Sequence, residues 1–315
     1  MKIAFFTEGQ AFGKVPRDYS NMRTDMAWIC ASGATRIPYY ETKNLKEKFD
    51  LGICIIPKRL DLSHANFALE QSDIPRIKQM CTKVVSMQEG PHWYFQDYSL
   101  EQQIWYYNLL QEMDELFVHN EMDATYFKGL TGKRCKVMRT LLIEDSLNDI
   151  PKNGTGTGVM IGGNFCQWYG GFDSYIVAQE FNDEVCVPSM GRKIAGEEEM
   201  ENLTHLPYLT WSNWMAELSK RKYAVHLMRT QAAGTFALNC AYFGIPCIGY
   251  KGLDTQELCH PLTTVKVGDL EHAKEIANKL KNVPEFYKLC SETARKRYNL
   301  EYKEDIWLAR FNSMM

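Results

Sequence analysis

Apolar residues in this chain gather in short runs, and the length and spacing of each run predict its element. KIAFFT, residues 2–7, is a nearly continuous apolar stretch of strand length. FDLGICIIP (49–57), KVVSM (83–87), ELFVHN (115–120) and CKVMRTLLI (135–143) read the same way. Helix patterns lie between them. NMRTDMAWICASGA (21–34) has Ser20 or Asn21 as cap and Gly33 as stop, and SLEQQIWYYNLLQEM (99–113) opens on Ser99. IPRIKQMC (74–81) and EMDATYFKGLTG (121–132) complete the set. Strands alternating with helices predict a parallel sheet covered on both faces.

PKNGTGTG (151–158) interrupts the alternation with a proline and three glycines. The pattern then restarts. Strands are expected at VMIGGNF (159–165), EVCVPSMG (184–191), YAVHLM (223–228), IPCIGY (245–250) and TTVKV (263–267). Helices are expected at 171–181, 211–221 (with Ser212 as cap), 234–244, 270–282, 284–299 and 302–312. The expected fold class is therefore α/β, with two Rossmann-like doubly wound domains. The first spans residues 1–152, a Gly-rich linker 153–158, and the second 159–295. A chain of 315 residues is long enough for two such cores. Open α/β sheets bind ligands beyond the carboxyl ends of their strands, and two facing sheets make the interdomain cleft the default site.

Candidate chemistry is accordingly sought just after strands. Gly162, Gly163, Asn164 and Phe165 follow one strand; paired glycines let backbone N–H groups approach an anion, or simply make a tight turn. Arg192 and Lys193 follow another, where a guanidinium can fork onto a diphosphate or stay a solvated loop cation. RTQAAGTFALNCAYFGIPCIGY (229–250) follows a third. There Arg229, Thr230, Gln231, Gly234 and Thr235 precede or open a helix, and helix N-termini hold phosphate through unbonded N–H groups and the helix dipole. Asn239 lies farther along the helix, a surface position in the plainest interpretation. Gly244 and Pro246 end the helix.

The first half offers strand-end acids. Glu8 and the loop to Tyr19, including Arg17 and Asp18, follow the first strand. SMQEGPHWYFQDY (86–98) places Gln88, Glu89, His92, Trp93 and Asp97 after another. An acid, an imidazole and aromatic rings suit a site that removes a proton and stacks a sugar or base; packing of Trp93, Tyr94 and Phe95 in a core is the alternative. His119 is a further strand-end candidate.

Composition narrows the partners. A net charge of −3 with 24% charged residues gives no basic footprint for a polyanion. Ten cysteines without a C-x-x-C, several in apolar runs, read as buried thiols in a reducing compartment, not as a metal or redox site. The start, MKIAFFTEGQ, enters a strand directly and has no secretory pattern, and no apolar run reaches membrane-span length, so a cytoplasmic location is expected.

With these residues in place, the chain resembles the GT-B glycosyltransferases that use nucleotide sugars. Their fold is two facing Rossmann-like domains with the donor held mainly by the second. The 229–250 segment is similar to their Glu-x7-Glu region: Gly234, Gly244 and Pro246 fall in register, while Gln231 and Asn239 stand at the two Glu positions. VKVGDLEHAKEIANKL (265–280) is similar to the segment that follows, which implies that residues 296–315 form a helix returning to the first domain. A narrower resemblance is to the DNA beta-glucosyltransferases of T-even phages. It rests on MKIAFF…GQAFGKVP, on IGGNF, on SMGRK, and on Glu89 at the place of a strand-end catalytic acid.

What the resemblance implies is transfer of a sugar from a nucleoside diphosphate, a UDP-sugar first, to an acceptor hydroxyl. Arg192, Arg229 and the helix start would stabilise the leaving diphosphate. Glu89, with His92 second, would take the acceptor proton if transfer inverts; a retaining reaction needs no such base. Glu8, Arg17, Asp18 and Trp93 would lie on the acceptor side. No tightly bound cofactor is expected, and no metal; the chain has no Asp-x-Asp. The acceptor could be a hydroxymethylated pyrimidine in double-stranded phage DNA, in the host cytoplasm, or a cell-surface glycan or other small molecule. Further alternatives are a non-catalytic two-lobed ligand-binding protein and a transferase that has lost turnover. A dinucleotide fold lacks its signature, because GTGTG precedes a strand and does not follow one.

Overall fold

The computed structural model describes residues 1–9, 11–22, 24–56, 69, 73–88, 90–152, 156–165, 168–188 and 194–315. Glu89, Arg192 and Lys193 lie outside the described residues. The chain forms two compact units, Met1–Arg17 with Asp25–Thr140 and Leu308–Met315, and Asp18–Thr24 with Leu141–Trp307.

Unit 1 runs β1 (Ile3–Thr7), α1 (Thr24–Ser32), β2 (Thr35–Pro38), β3 (Phe49–Ile56), α2 (Asp73–Met80), β4 (Cys81–Gln88), α3 (His92–Asp97), α4 (Leu100–Glu112), β5 (Glu115–Val118), α5 (Glu121–Thr131) and β6 (Cys135–Val137). Its six strands are parallel in the order β2-β1-β3-β4-β5-β6. The apolar runs become strands because both faces of the sheet are covered: Ala4, Phe6, Cys54, Ile56 and Val84 pack into one core with Ile77, Leu109 and Phe127. Local signals fix the helix ends. Gly33 takes a left-handed φ of 62° after α1. Ser99 and Gln102 form a reciprocal capping box on α4, and the Asn120 side chain caps α5.

Unit 2 runs β7 (Val159–Ile161), α6 (Gly171–Ala178), β8 (Val185–Pro188), β9 (Leu203–Leu206), α7 (Trp211–Ser219), β10 (Tyr223–His226), α8 (Thr235–Phe243), β11 (Cys247–Tyr250), α9 (Asp254–Cys259), β12 (Thr264–Val265), α10 (Leu270–Asn282) and α11 (Pro284–Glu301). A last helix, α12 (Glu304–Met314), contributes its first residues to unit 2 and its last to unit 1. The sheet is again six-stranded and parallel, in the order β12-β11-β10-β7-β8-β9. Strand order reverses between β7 and β10, which is where doubly wound sheets open a ligand crevice.

The structure departs from the sequence expectation in identifiable places. The chain divides at Thr140, ahead of the Gly-rich segment, because Leu142 and Leu147 are buried with Met215, Leu218 and Tyr298 of unit 2. Residues around that segment are tied into the same unit: Thr157 N donates to Lys220 O (3.0 Å), and Arg295 to the Lys152 carbonyl. The strand expected over 135–143 stops at Val137 for the same reason. Ser20 does not cap α1; its carbonyl accepts the Trp211 N–H (2.8 Å). Thr210, not Ser212, sits at the N-cap of α7.

Candidate functional site

The carboxyl ends of β7 and β10 hold most of the residues singled out in the second half. Gly162 leaves β7 with its N–H donating to Val225 O at 2.8 Å. A Cβ there would stand 2.5 Å from the His226 ring and 2.7 Å from Phe236. The missing side chain therefore makes room for those two rings, which accounts for the glycine without a ligand. Gly163 turns the chain at a φ of +73°, against Tyr169. Asn164 is buried at 1% exposure and Phe165 packs edge-on to Tyr175.

Three polar links join the loop after β7 and the start of α6 to the loop after β10. Ser174 Oγ donates to Gly170 O (2.8 Å) and accepts from Leu227 N (2.9 Å). Thr230 Oγ1 donates to Trp168 O (3.0 Å). Arg229 Nη2 pairs with Asp173 Oδ2 at 3.1 Å, and the Tyr250 hydroxyl donates to the same oxygen at 3.3 Å. Arg229 keeps 61% of its side chain exposed, so the ion pair orients the guanidinium without burying it.

Beyond these links Gly234 occupies the N-cap of α8 in the left-handed region (φ 71°). A glycine cap has no side chain to bond the first-turn N–H groups, so among the described residues no capping side chain occupies these donors, where the dipole is positive. The Thr255 hydroxyl donates to Gly234 O (2.9 Å) and occupies the space of an absent Cβ. Gln231 lies against Gly252, which has a φ of +106°. The rest of α8, from Phe236 to Phe243, is buried. At the far end Gly244 closes the helix in the left-handed region, and Arg295 Nε donates to Phe243 O (3.1 Å).

Asn239 is a buried residue, at 3% exposure, where a surface position was the plainest expectation. Its Nδ2 donates to Thr235 O (2.9 Å) and its Oδ1 accepts from Trp214 Nε1 (3.1 Å). Both amide atoms thus secure the first turn of α8 onto α7.

His226 and Thr255 escape a sequence reading. His226 sits inside an apolar strand run, fully enclosed, with neither ring nitrogen hydrogen-bonded among the described residues. Burial lowers its pKa to about 4, so it is a neutral ring. The break it makes in YAVHLM is the one signal available. Thr255 lies in a helix, α9, that periodicity does not reveal because it is only six residues long.

In unit 1 the segment after β4 forms α3. Gln88 Nε2 donates to Pro91 O (3.1 Å). His92 opens the helix; its backbone N–H and its Nδ1 both lie on Asp123 Oδ1, at 2.9 and 2.8 Å. The ring stacks on Tyr126, with centroids 4.7 Å apart. Trp93 stacks on Tyr94 at 4.1 Å, and Asp97 is exposed. His119 is buried beneath Trp28, whose Nε1 donates to Arg139 O. Glu8 and Arg17 are exposed in unit 1. Asp18 is exposed too but clusters with unit 2, so the four acceptor-side candidates are not one group within a unit.

No known family profile matches the chain. No curated protein matches it significantly in sequence. Solved structures do match in fold. HepE of Anabaena, in complex with UDP and glucose, matches with a TM-score of 0.67 at 12% identity, covering 100% of both chains. Sucrose-phosphate synthase of Thermosynechococcus elongatus matches at 0.67 and 10% identity, covering 99% of this chain and 98% of the other. An alpha-glucosyltransferase in complex with UDP and a 13-mer DNA containing an HMU base matches at 0.63 and 12% identity, over 100% and 98%. Two six-stranded parallel sheets, each doubly wound and matched along the whole chain, give this protein the GT-B fold of glycosyltransferases.

Proposed function

We propose that this chain transfers a sugar from a nucleoside diphosphate, a UDP-sugar foremost, to an acceptor hydroxyl. The observation that carries this is the glycine-capped start of α8, set beside an exposed arginine at the switch point of unit 2. Solved proteins of the same fold hold UDP or UDP-glucose. Breaking the bond between the anomeric carbon and the diphosphate places charge on the leaving phosphate. The first-turn N–H groups of α8 are fixed dipoles aimed at such a charge, and Arg229 adds a full positive charge. Thr230 and Gln231 in that loop and Thr235 at the first position of α8 supply polar side chains, with Gly162, Gly163, Asn164 and Phe165 on the neighbouring loop. Asn239 serves by holding the helix start. Arg192 is kept in the donor set from its place after β8, and Glu89 and His92 are the proton acceptors of an inverting transfer.

The finer reading of the acceptor is a hydroxymethylated pyrimidine in double-stranded DNA. It is supported by the phage-like motifs and by one structural neighbour bound to DNA with an HMU base. A cell-surface glycan is the second reading, since the fold neighbours include TarM bound to alpha-GlcNAc-glycerol and UDP.

Thermal stabilisation by a panel of nucleotide sugars, for the unaltered protein and Arg229→Ala, tests the donor site. At a hundred times its Kd a true donor adds about 2.7 kcal/mol of apparent stability. A UDP-sugar should raise the transition, and the rise should shrink in Arg229→Ala. A panel with no stabilising nucleotide would reject the assignment. The DNA acceptor predicts binding to hydroxymethylated duplex that weakens steeply with salt as phosphate contacts are screened; salt-independent or undetectable binding removes it.

A further inference from the structure

Arg36, on β2, is a half-buried arginine with no oxygen partner among the described residues. Its Nη1 donates to the thioether of Met26 in α1 at 3.5 Å, a weak acceptor for a full charge. Its Nε is buried and unbonded, and no described group bonds Nη2. Other enclosed arginines are served differently: Arg221 pairs with Glu184 and Glu217, and Arg295 donates to the Phe243 carbonyl. Nε and Nη2 form one edge of the guanidinium, and such an edge takes two oxygens of an oxyanion side by side. The surroundings leave this edge uncovered. It lies beside Gly9, where a Cβ would stand 3.4 Å from Nη2. The loop carrying Gly9 is tied over β2, since the Gly13 and Arg36 backbones exchange two hydrogen bonds of 2.9 Å. Thr7, the last residue of β1, adds a second polar group. It is 3% exposed, and its hydroxyl is unbonded among the described residues. Phe5 stands opposite Arg36 and Thr7 opposite Pro38, so Thr7 and Arg36 share a face of the sheet. β1 lies where the strand order of unit 1 reverses, at the carboxyl end of which such sheets take ligands.

We propose that Arg36 anchors an anion site in unit 1 that holds a phosphate group of the acceptor on its Nε–Nη2 edge, with the Thr7 hydroxyl serving a further oxygen. A cation taken out of water without a partner is costly, and an arriving oxyanion removes that cost. The added hydroxyl suits phosphate over carboxylate, whose two oxygens the guanidinium edge already occupies. That the phosphate belongs to the acceptor rests on the proposed sugar transfer; the anion site does not. The group is either a phosphodiester of duplex DNA or a phosphomonoester on a small acceptor. Both present the same oxygens to Arg36. The chain's net charge of −3 does not oppose this, because one enclosed guanidinium recognises a single phosphate without a basic surface.

The test is a titration of the full chain with inorganic phosphate, exchanged for chloride at constant ionic strength. Arg229→Ala is the background, so that the donor position contributes little. The Nε–H resonance of Arg36, assigned by its loss in Arg36→Met, should shift and saturate. Thermal stabilisation by phosphate should need at least about tenfold more phosphate in Arg36→Met. Arg36→Lys keeps the charge and loses the fork; it should show the same loss and is the second variant should Arg36→Met fail to fold. A resonance that does not move, a shift that grows without saturating, or equal stabilisation in both proteins overturns the site. A hydroxymethylated duplex and a hexose 6-phosphate then separate the two sources. If the phosphate is in DNA, Arg36→Met weakens the duplex at least about tenfold, and the hexose 6-phosphate binds no better than the hexose. If it is on a small acceptor, the hexose 6-phosphate binds at least about tenfold tighter than the hexose, Arg36→Met abolishes that preference, and duplex binding is the same in both proteins. Binding of both probes that ignores Arg36 overturns the acceptor assignment. Failure of the unaltered protein to bind UDP would defeat the sugar-transfer reading and leave the phosphate titration to decide the Arg36 site.

Discussion

The φ of 71° at Gly234 disfavours any L side chain, and a Cβ would land on the Thr255 hydroxyl. Gly234→Ala should therefore destabilise the chain by about 1–3 kcal/mol through backbone strain, and should weaken nucleotide binding together with it. Thr255→Val perturbs the same point without the backbone strain: it removes the bond to Gly234 O while filling much the same space. Its expected outcome is a stability loss of about 1 kcal/mol and a measurable loss of UDP affinity by titration. Two of the buried histidines set a pH dependence. His226 and His260 both have pKa values lowered to about 4 by burial. In the unfolded chain each would take up a proton near pH 6.5, so the unfolded state binds more protons between those limits. Stability should be full above about pH 6.5 and fall on acidification toward pH 4, at up to about 1.4 kcal/mol per pH unit for each ring. Urea midpoints measured from pH 7.5 to 5 check this, and His226→Leu should flatten the slope by one histidine's share. An unchanged slope would show that the ring takes up its proton as readily in the fold as in the unfolded chain.

At the scale of elements, legibility followed length. The long strands β3 and β4 and the helices α4, α5, α10 and α11 stand close to their apolar patterns, because a pattern of eight or more residues outweighs local exceptions. Capping signals worked where the side chain could reach its own helix, as at Ser99, and misled at Ser20, which lies four residues ahead of the first residue of α1. The missed elements β2, β9, α3 and α9 are all six residues or shorter. TRIP, for instance, contains an arginine and a proline and reads as loop; it is a strand because β1 offers it an edge, with Phe5 opposite Arg36. The glycine-rich start of α8 was legible, since a glycine before a helix and another after it mark both ends. Its support was not. Asn239 reads as a surface amide until Trp214, on a helix 25 positions upstream, is seen to donate to it. In the same way the pairing of His92 with Asp123 joins residues 31 apart through a carboxylate that sits unremarked in a helix pattern. Which polar group meets which is a property of the packing, and one sequence holds no direct record of it.

For the whole molecule, two doubly wound sheets were readable from alternation alone, and their strand orders were not. The order β12-β11-β10-β7-β8-β9 makes β7 and β10 neighbours although more than 60 residues separate Ile161 from Tyr223. That adjacency is what brings the glycine turn after β7 beside Arg229. Neither unit is a continuous stretch of chain: residues 18–24 belong to unit 2, and residues 308–315, with Phe311 buried among them, belong to unit 1. On the ribosome the N-terminal sheet thus emerges complete in its strands but lacking a buried aromatic that is translated only after the whole of unit 2. Unit 1 thus has its full set of residues only after those of unit 2 have been made, which links the completion of its core to the synthesis of its neighbour.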